Sequence, residues 1–219
     1  MKTPVTKKDF RNHLTYSWWK YALLAVIAIF GWNLIYTVTE YQPPKNKCID
    51  MFIFGSGEQA LLDVYMEDVR QKEMSDMEAM SSVFQVLDET YTPMQIMTYV
   101  AAGEGHLFML PKDYFQNYSS EGSFLPLENI PGLTDWLDAS GVSYDRGWRT
   151  YNETGERHLY GIPMAAFPGF SQYAYGYDEH FLSISVTNGN DENSAKFLKL
   201  FLEDMLDPNH TIPLPAETE

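Results

Sequence analysis

The stretch IDMFIFGSGEQA, residues 49–60, decides the fold of this chain. Its apolar run, residues 49–54, has the length of a buried β-strand, and Gly55-Ser56-Gly57 then leads into a segment with apolar residues at helical spacing. Two further strand patterns with intervening helices follow. This alternation predicts an α/β fold with a parallel or mixed sheet and crossover helices.

The predicted elements cover most of the chain after residue 48. The predicted strands are residues 49–54, 82–87, 106–110, 159–163 and 181–187, and the predicted helices are residues 58–74, 93–102, 112–118 and a last helix that follows the cap at 188–192. Thr92 to Gln95 read as a capping box, with Pro93 at the first helical position and Gly103 as the C-terminal cap. Residues 125–157 show no sustained period, so no element is predicted there.

Residues 18–38, WWKYALLAVIAIFGWNLIYTV, predict one transmembrane helix before this domain. Lys20 is the only charge, and a helix of this length spans about 30 Å, the thickness of the hydrocarbon core. Trp and Tyr stand at both ends, where aromatic belts form. A cleaved signal peptide is the alternative, but the apolar stretch is long and no small-x-small cleavage site follows it.

Charge predicts the orientation of this helix. The 219 residues include 30 acidic and 15 basic side chains, a net charge of −15; the first 47 carry seven basic and two acidic ones, net +5, which leaves −20 for the remainder. The positive-inside rule predicts a single-pass plasma-membrane protein with a cytoplasmic tail (1–17), a transmembrane helix (18–38), a linker (39–47) and an extracytoplasmic domain (48–219).

The composition of the domain excludes two further features. Its acidic charge disfavours nucleic acid as a partner. The single Cys48 allows no intramolecular disulfide.

Several motifs of the domain occur in the order of a known family. Residues 99–115, YVAAGEGHLFMLPKDYF, continue into 121–127, EGSFLPL; YGIP at 160–163 and the strand and helix after residue 181 follow. These stretches resemble extracellular solute-binding proteins of bacterial ABC transporters. The resemblance implies one lobe of a periplasmic-binding-protein fold, because the roughly 20 residues between 163 and 181 are too few for a second lobe of 50 residues or more.

A ligand of such a domain is expected outside the carboxyl ends of the parallel strands. The candidate ligand-binding residues are Gly55, Ser56, Gly57, Glu58, Asp88, Glu89, Glu104, Tyr173 and Tyr175. The pattern Gly-x-Gly-x-x-Ala at 55–60 also fits a dinucleotide phosphate turn, although a plain strand-to-helix turn explains it as well. Tyr173, Tyr175 and Tyr177 alternate, which indicates either a phenol-bearing surface or a half-buried strand.

No metal, cofactor or catalytic residue is predicted. Asp178-Glu179-His180 is the densest cluster of possible metal ligands, but no His-x-x-x-His motif or cysteine pair supports it. The sequence therefore favours a non-catalytic binding or assembly module that engages an envelope protein, such as a transporter subunit, or a polar solute, such as a sugar or peptide. An envelope hydrolase that uses Glu58, Asp88, Glu89 or Glu104 at strand ends is the alternative.

Overall fold

The computed structural model describes residues 7–39, 41, 43–186 and 189–211. The chain forms two compact units, Met1–Gln42 and Pro43–Glu219. We call the second unit the C-terminal domain.

A single long helix, α1 (Lys7–Thr39), makes up the N-terminal unit as far as it is described. Its segment Trp18–Thr39 is the one helix among the described residues that is long and apolar enough to cross a membrane, and none of it is buried. The predicted span, residues 18–38, lies within it. An apolar helix near the N-terminus is also typical of a signal sequence, so the crossing stays a prediction.

The C-terminal domain confirms the predicted α/β fold with a mixed sheet. Its helices are α2 (Gln59–Glu73), α3 (Tyr91–Ala102), α4 (Lys112–Ser120), α5 (Leu133–Ala139) and α6 (Asp191–Leu206). Its strands are β1 (Cys48–Phe54), β2 (Ser56–Gly57), β3 (Ala79–Gln85), β4 (Leu107–Pro111), β5 (Trp148–Thr150), β6 (Arg157–Leu159), β7 (Ile162–Pro163), β8 (Ala174–Tyr175) and β9 (His180–Ile184).

Five strands form the central sheet in the order β3-β1-β4-β9-β7. β3, β1 and β4 are parallel, as crossover helices require, whereas β9 runs antiparallel to both β4 and β7. Two small ribbons, β2–β8 and β5–β6, lie outside this sheet.

Side chains alternate across the sheet, so each face packs against its own helices. On β1, Ile49, Met51 and Ile53 pack with the buried residues of α2 and α6, whereas Phe52 and Phe54 pack with the buried residues of α3 and α4. We call these faces the α2–α6 side and the α3–α4 side. Burial of β1 on both faces explains why the strand reads as a continuous apolar run.

The prediction of one strand over residues 159–163 is wrong. β6 pairs with β5 and β7 pairs with β9, so the run belongs to two sheets. Between them, the Tyr160 N–H donates to the Gly147 carbonyl oxygen (3.1 Å). A Cβ at Gly161 would lie 2.6 Å from the Phe115 ring, so the chain changes sheets where a glycine allows close packing.

Helix α5 lies in the region for which no element was predicted. It has only seven residues, and Leu133 and Leu137, one turn apart, are its buried residues. Two apolar positions do not make a recognisable period. Residues 187 and 188, the end of one predicted strand and the start of the predicted cap, lie outside the described residues.

Candidate functional site

The carboxyl ends of the parallel strands meet at one edge of the sheet. Gly55 follows β1, and its N–H donates to the carbonyl oxygen of Gln85, the last residue of β3 (3.0 Å). His180 begins β9 opposite Pro111, the last residue of β4. We call this edge the carboxyl edge; it is where the fold predicts a ligand.

The turn after β1 is built by close packing. β2 pairs antiparallel with β8 directly beyond the turn. A Cβ at Gly57 would lie 2.3 Å from the Phe84 ring and 2.4 Å from the Tyr173 carbonyl oxygen, so only glycine fits. The N–H groups of Gly55 and Glu58 are already bonded to the carbonyl oxygens of Gln85 and Tyr173. This arrangement favours the plain strand-to-helix turn over a phosphate-binding loop, which needs free amides.

The alternating tyrosines have different environments. Tyr175 is 60% exposed at the carboxyl edge, where its hydroxyl donates to Glu58 Oε1 (3.1 Å); this hydrogen bond to a carboxylate raises the pKa of Tyr175. Tyr173 is fully buried, with its hydroxyl 3.0 Å from His210 Nε2, and burial raises its pKa. Tyr177 is buried too. The structure thus leaves Tyr175 and Glu58 as the surface pair of this region.

Asp88 acts as a helix cap. Its Oδ1 accepts the N–H groups of Thr90 (2.8 Å) and Tyr91 (2.9 Å), and its own N–H donates to Thr92 Oγ1 (2.9 Å). The bond from Tyr91 satisfies the first N–H of α3, which begins at Tyr91, two residues earlier than predicted. Thr92 therefore lies inside the helix, and the predicted capping box that places it before the helix is wrong. Glu89 is exposed beside this cap.

Glu104 lies at the opposite end of the sheet. It is exposed in the connection between α3 and β4. Two residues later, the His106 N–H donates to the Asp50 carbonyl oxygen (2.8 Å), and the Asp50 N–H donates to His106 Nδ1 (3.0 Å), near the start of β1. The structure therefore does not bring Glu104 together with Glu58 and Asp88.

Sequence reasoning missed the role of His180 at the carboxyl edge. Its ring is buried, and Nε2 lies 2.9 Å from the Phe54 carbonyl oxygen. Because a carbonyl oxygen only accepts, Nε2 carries the proton in this contact. Burial lowers the pKa of His180, which keeps the ring neutral. The neighbouring Asp178 and Glu179 suggested metal ligands, but among the described residues no group of three His, Cys, Asp or Glu side chains could hold a metal ion.

Helix α3 and the loop before it expose large apolar side chains. These are Val86, Leu87, Tyr91, Met94 and Met97, which we call the α3 face. Val86 is 84% exposed and Met97 68% exposed. The buried residues of α3 are Thr92 and Ile96. A shallow cleft of about 240 Å³ follows the helix, lined by Tyr91, Met94, Gln95, Thr98 and Tyr99. Sequence periodicity could not reveal this face, because α3 has no charged side chain to mark its exposed side.

A second, more polar groove of about 590 Å³ is formed largely by residues of α3 and α4. It is lined by Pro93, Met97, Tyr114, Gln116, Asn117, Tyr118, Ser120, Glu121 and Asn152. The Tyr118 hydroxyl donates to the Pro93 carbonyl oxygen (2.7 Å). Aromatic rings and amide side chains of this kind offer stacking and hydrogen bonds to a polar molecule.

Comparison with known proteins gives matches among solved structures. No family model and no curated protein matches this chain. A family 1 extracellular solute-binding protein from Alicyclobacillus acidocaldarius is 19% identical, with a TM-score of 0.41, over 57% of this chain and 29% of its own. An ABC substrate-binding protein from Listeria monocytogenes, in complex with cycloalternan, is 19% identical, with a TM-score of 0.37, over 52% of this chain and 28% of its own.

A third match has the same character. An ABC transporter solute-binding protein from Agrobacterium vitis with bound D-mannitol is 16% identical, with a TM-score of 0.36, over 53% of this chain and 27% of its own. These three matched structures are described as solute-binding or substrate-binding proteins, the kind of protein that the sequence motifs resemble. This chain spans less than a third of the length of each of these three proteins.

Proposed function

We propose that this chain is a non-catalytic, membrane-anchored assembly module of the cell envelope, whose C-terminal domain binds a protein partner through the α3 face. The observation that carries the proposal is the exposure of Val86, Leu87, Tyr91, Met94 and Met97 on one helix and its preceding loop. Clustered apolar side chains of this size on a water-exposed domain are typical of protein interaction sites. Methionine and tyrosine are also enriched in such interfaces.

Charge around the α3 face indicates the chemistry of the partner. Residues 91–102 contain no charged side chain. Asp88 and Glu89 precede the helix, whereas Glu104 and the Lys45 ammonium, which donates to the carbonyl oxygens of Ala102 and Gly103 (both 3.2 Å), lie at its other end. An apolar surface with carboxylates at the N-terminal end of its helix is complementary to a partner with an apolar contact surface and basic side chains facing that end. A transporter subunit or another envelope protein of this kind is the proposed partner.

The proposed membrane anchor is the apolar segment Trp18–Thr39, which crosses the membrane with the N-terminus in the cytoplasm. Alkaline carbonate extraction of membranes tests the anchor, since a spanning protein stays in the pellet and a peripheral one is released. Protease added to intact cells tests the orientation, because the C-terminal domain should be digested from outside.

A pull-down tests the partner. Full-length tagged protein is recovered from detergent-solubilised membranes beside the double variant Met94→Gln/Met97→Gln and the control Leu61→Gln, an exposed apolar residue on α2. We expect the native chain and the control to recover the same partner in stoichiometric amounts and the double variant to lose it. Recovery of the native chain alone, or an undiminished partner with the double variant, would reject the proposal.

A polar solute, such as a sugar or a peptide, is the second candidate ligand of the same module. The groove formed largely by α3 and α4 favours it, because Tyr114, Gln116 and Asn117 offer an aromatic ring and amides. Thermal-shift screening of the protein against sugars and peptides tests it, with Asn117→Ala as the variant that should reduce any shift. The hydrolase alternative receives no such support, because the Asp88 carboxylate accepts the N–H groups of Thr90 and Tyr91 and Glu104 lies at the opposite end of the sheet.

A further inference from the structure

Asn33 is a polar side chain in the apolar segment of α1. It is exposed, and none of the described residues hydrogen-bonds its side-chain amide. Its backbone carbonyl oxygen accepts the Thr37 hydroxyl (2.9 Å). Thr39 is the last residue of α1 and lies six residues, or about 9 Å along the helix axis, beyond Asn33. An asparagine side chain is too short to reach the end of the helix over this distance. In a membrane this amide would therefore sit in hydrocarbon, where an unpaired polar group is costly.

Asn33 belongs to a regular seam of the helix. Ala22, Val26, Ile29, Asn33 and Tyr36 recur at alternating intervals of four and three residues. This heptad spacing places side chains on the face that one helix presents to another in a left-handed pair.

A shallow, open hollow lies on the exposed surface of α1 and overlaps this seam at Ile29, Asn33 and Tyr36. Ala28, Ile29, Trp32, Asn33 and Tyr36 line the hollow. Further toward the N-terminus, Ala22 is small enough to let a second helix approach. The hollow, the heptad spacing and the unpaired amide therefore point to the same face of the helix.

The occupant that fits this seam is a second copy of the same helix. A carboxamide has both donor and acceptor groups, so two Asn33 side chains can satisfy each other. All copies insert in the same orientation, so a parallel pair brings the two amides to the same depth. A single asparagine on a heptad seam also fixes the register of the two helices.

We propose that the apolar segments of two copies of this chain pair through the seam of Ala22, Val26, Ile29, Asn33 and Tyr36, with the Asn33 amides hydrogen-bonded to each other. This pairing rests on the membrane anchoring in the proposed function but not on the protein partner. It would present two C-terminal domains to the envelope side by side, which raises the effective concentration of the second α3 face for a partner with two binding sites.

Disulfide cross-linking in native membranes tests the pairing. The full-length chain carries Cys48→Ser, so that the introduced cysteine is the only one, and either Ile29→Cys on the seam or the control Ile27→Cys, which lies about 160° away around the helix at nearly the same depth. With mild oxidant, we expect a dimer from Ile29→Cys and a several-fold lower yield from Ile27→Cys. Equal yields, or a cross-link to a different protein, would overturn the pairing.

Substitutions at Asn33 test the hydrogen bond. In the Ile29→Cys chain, Asn33→Leu should lower the dimer yield, and Asn33→Gln, which keeps the amide, should restore much of it. Energy transfer between labelled copies in lipid vesicles should show a dissociation constant about 3- to 30-fold higher for Asn33→Leu. Unchanged association of Asn33→Leu would overturn the proposed amide pair.

Carbonate extraction of the same membranes separates the two ways of failing. If the chain is released, the anchoring fails and the pairing fails with it. If the chain stays in the membrane and both cysteine variants remain monomeric, only the pairing is overturned.

Discussion

The amphipathic helix α6 and the uncharged helix α3, on opposite sides of the central sheet, bury their apolar side chains to very different extents. On the α2–α6 side, α6 buries Phe197, Leu198, Phe201, Leu202 and Met205 completely. On the α3–α4 side, α3 carries no charge along its length, yet it buries only Thr92 and Ile96. Apolar composition therefore does not by itself tell whether a helix supports the fold. The α2–α6 side therefore supplies most of the core, whereas the α3–α4 side keeps apolar surface free for contacts outside the domain.

The largest effect is expected on the α2–α6 side. Phe201→Ala should lower the free energy of unfolding by about 3–5 kcal/mol, because it leaves a cavity among packed rings. The Phe201 ring lies 5.5 Å from that of Phe170 and 6.0 Å from that of Tyr65. Chemical denaturation of the detergent-solubilised full chain, followed by near-UV circular dichroism, measures it. A loss below about 1 kcal/mol would mean that this side is not the main core.

A smaller loss is expected for the buried position of α3. Ile96→Ala should cost about 2 kcal/mol, near the lower end of the range for such truncations, because α3 has few packed neighbours and can relax toward the sheet. The same denaturation experiment compares it with Phe201→Ala. Equal losses of unfolding free energy for Ile96→Ala and Phe201→Ala would contradict this difference, since the two sides of the sheet would then contribute equally to stability.

Mild acid should lower the free energy of unfolding of the C-terminal domain through two histidines of the central sheet. Burial lowers the pKa values of His106 and His180, which lie toward opposite ends of the sheet. In the unfolded chain the two histidine rings bind protons near pH 6.5, whereas in the folded chain they do so only at lower pH. The free energy of unfolding therefore has its full value above about pH 6.5 and falls below it, by at most about 1.4 kcal/mol per pH unit for each histidine. Denaturation at pH 7.5 and 5.5 measures this.

The variants His106→Asn and His180→Asn serve as controls for the acid effect. Each should remove its own share of the pH dependence between pH 7.5 and 5.5. A native chain whose unfolding free energy is the same at both pH values would contradict the expected protonation.

The smallest effect on stability is expected on the α3 face. Met94→Gln should change the free energy of unfolding by less than about 0.5 kcal/mol, because the side chain is exposed. Denaturation beside the native chain checks it. A loss above about 1 kcal/mol would show that Met94 packs within the fold, and the contrast between the two sides would disappear.

Much of the fold could be predicted from local patterns. β1 and α2 lie within one residue of their predicted ranges, and α6 begins at Asp191, inside the predicted cap, because apolar runs and helical stripes record burial directly. The split between β6 and β7 and the short helix α5 could not be predicted, since long-range packing determines both.

The candidate site was harder to predict than the fold. Glu58, Asp88 and Glu89 follow strands, and strand polarity correctly places them at the carboxyl edge. Glu104 precedes β4, so the same polarity could have placed it at the other end. The burial of Tyr173 and the contact of His180 with Phe54 depend on residues far away in the sequence.

The edge strand β7 limits pairing of the central sheet with strands of other molecules. It contains only Ile162 and Pro163, and proline has no backbone N–H to offer. A free strand from another molecule would find one amide at most along this border, too few for a stable ladder. The domain is therefore protected on that border against growing into fibrils.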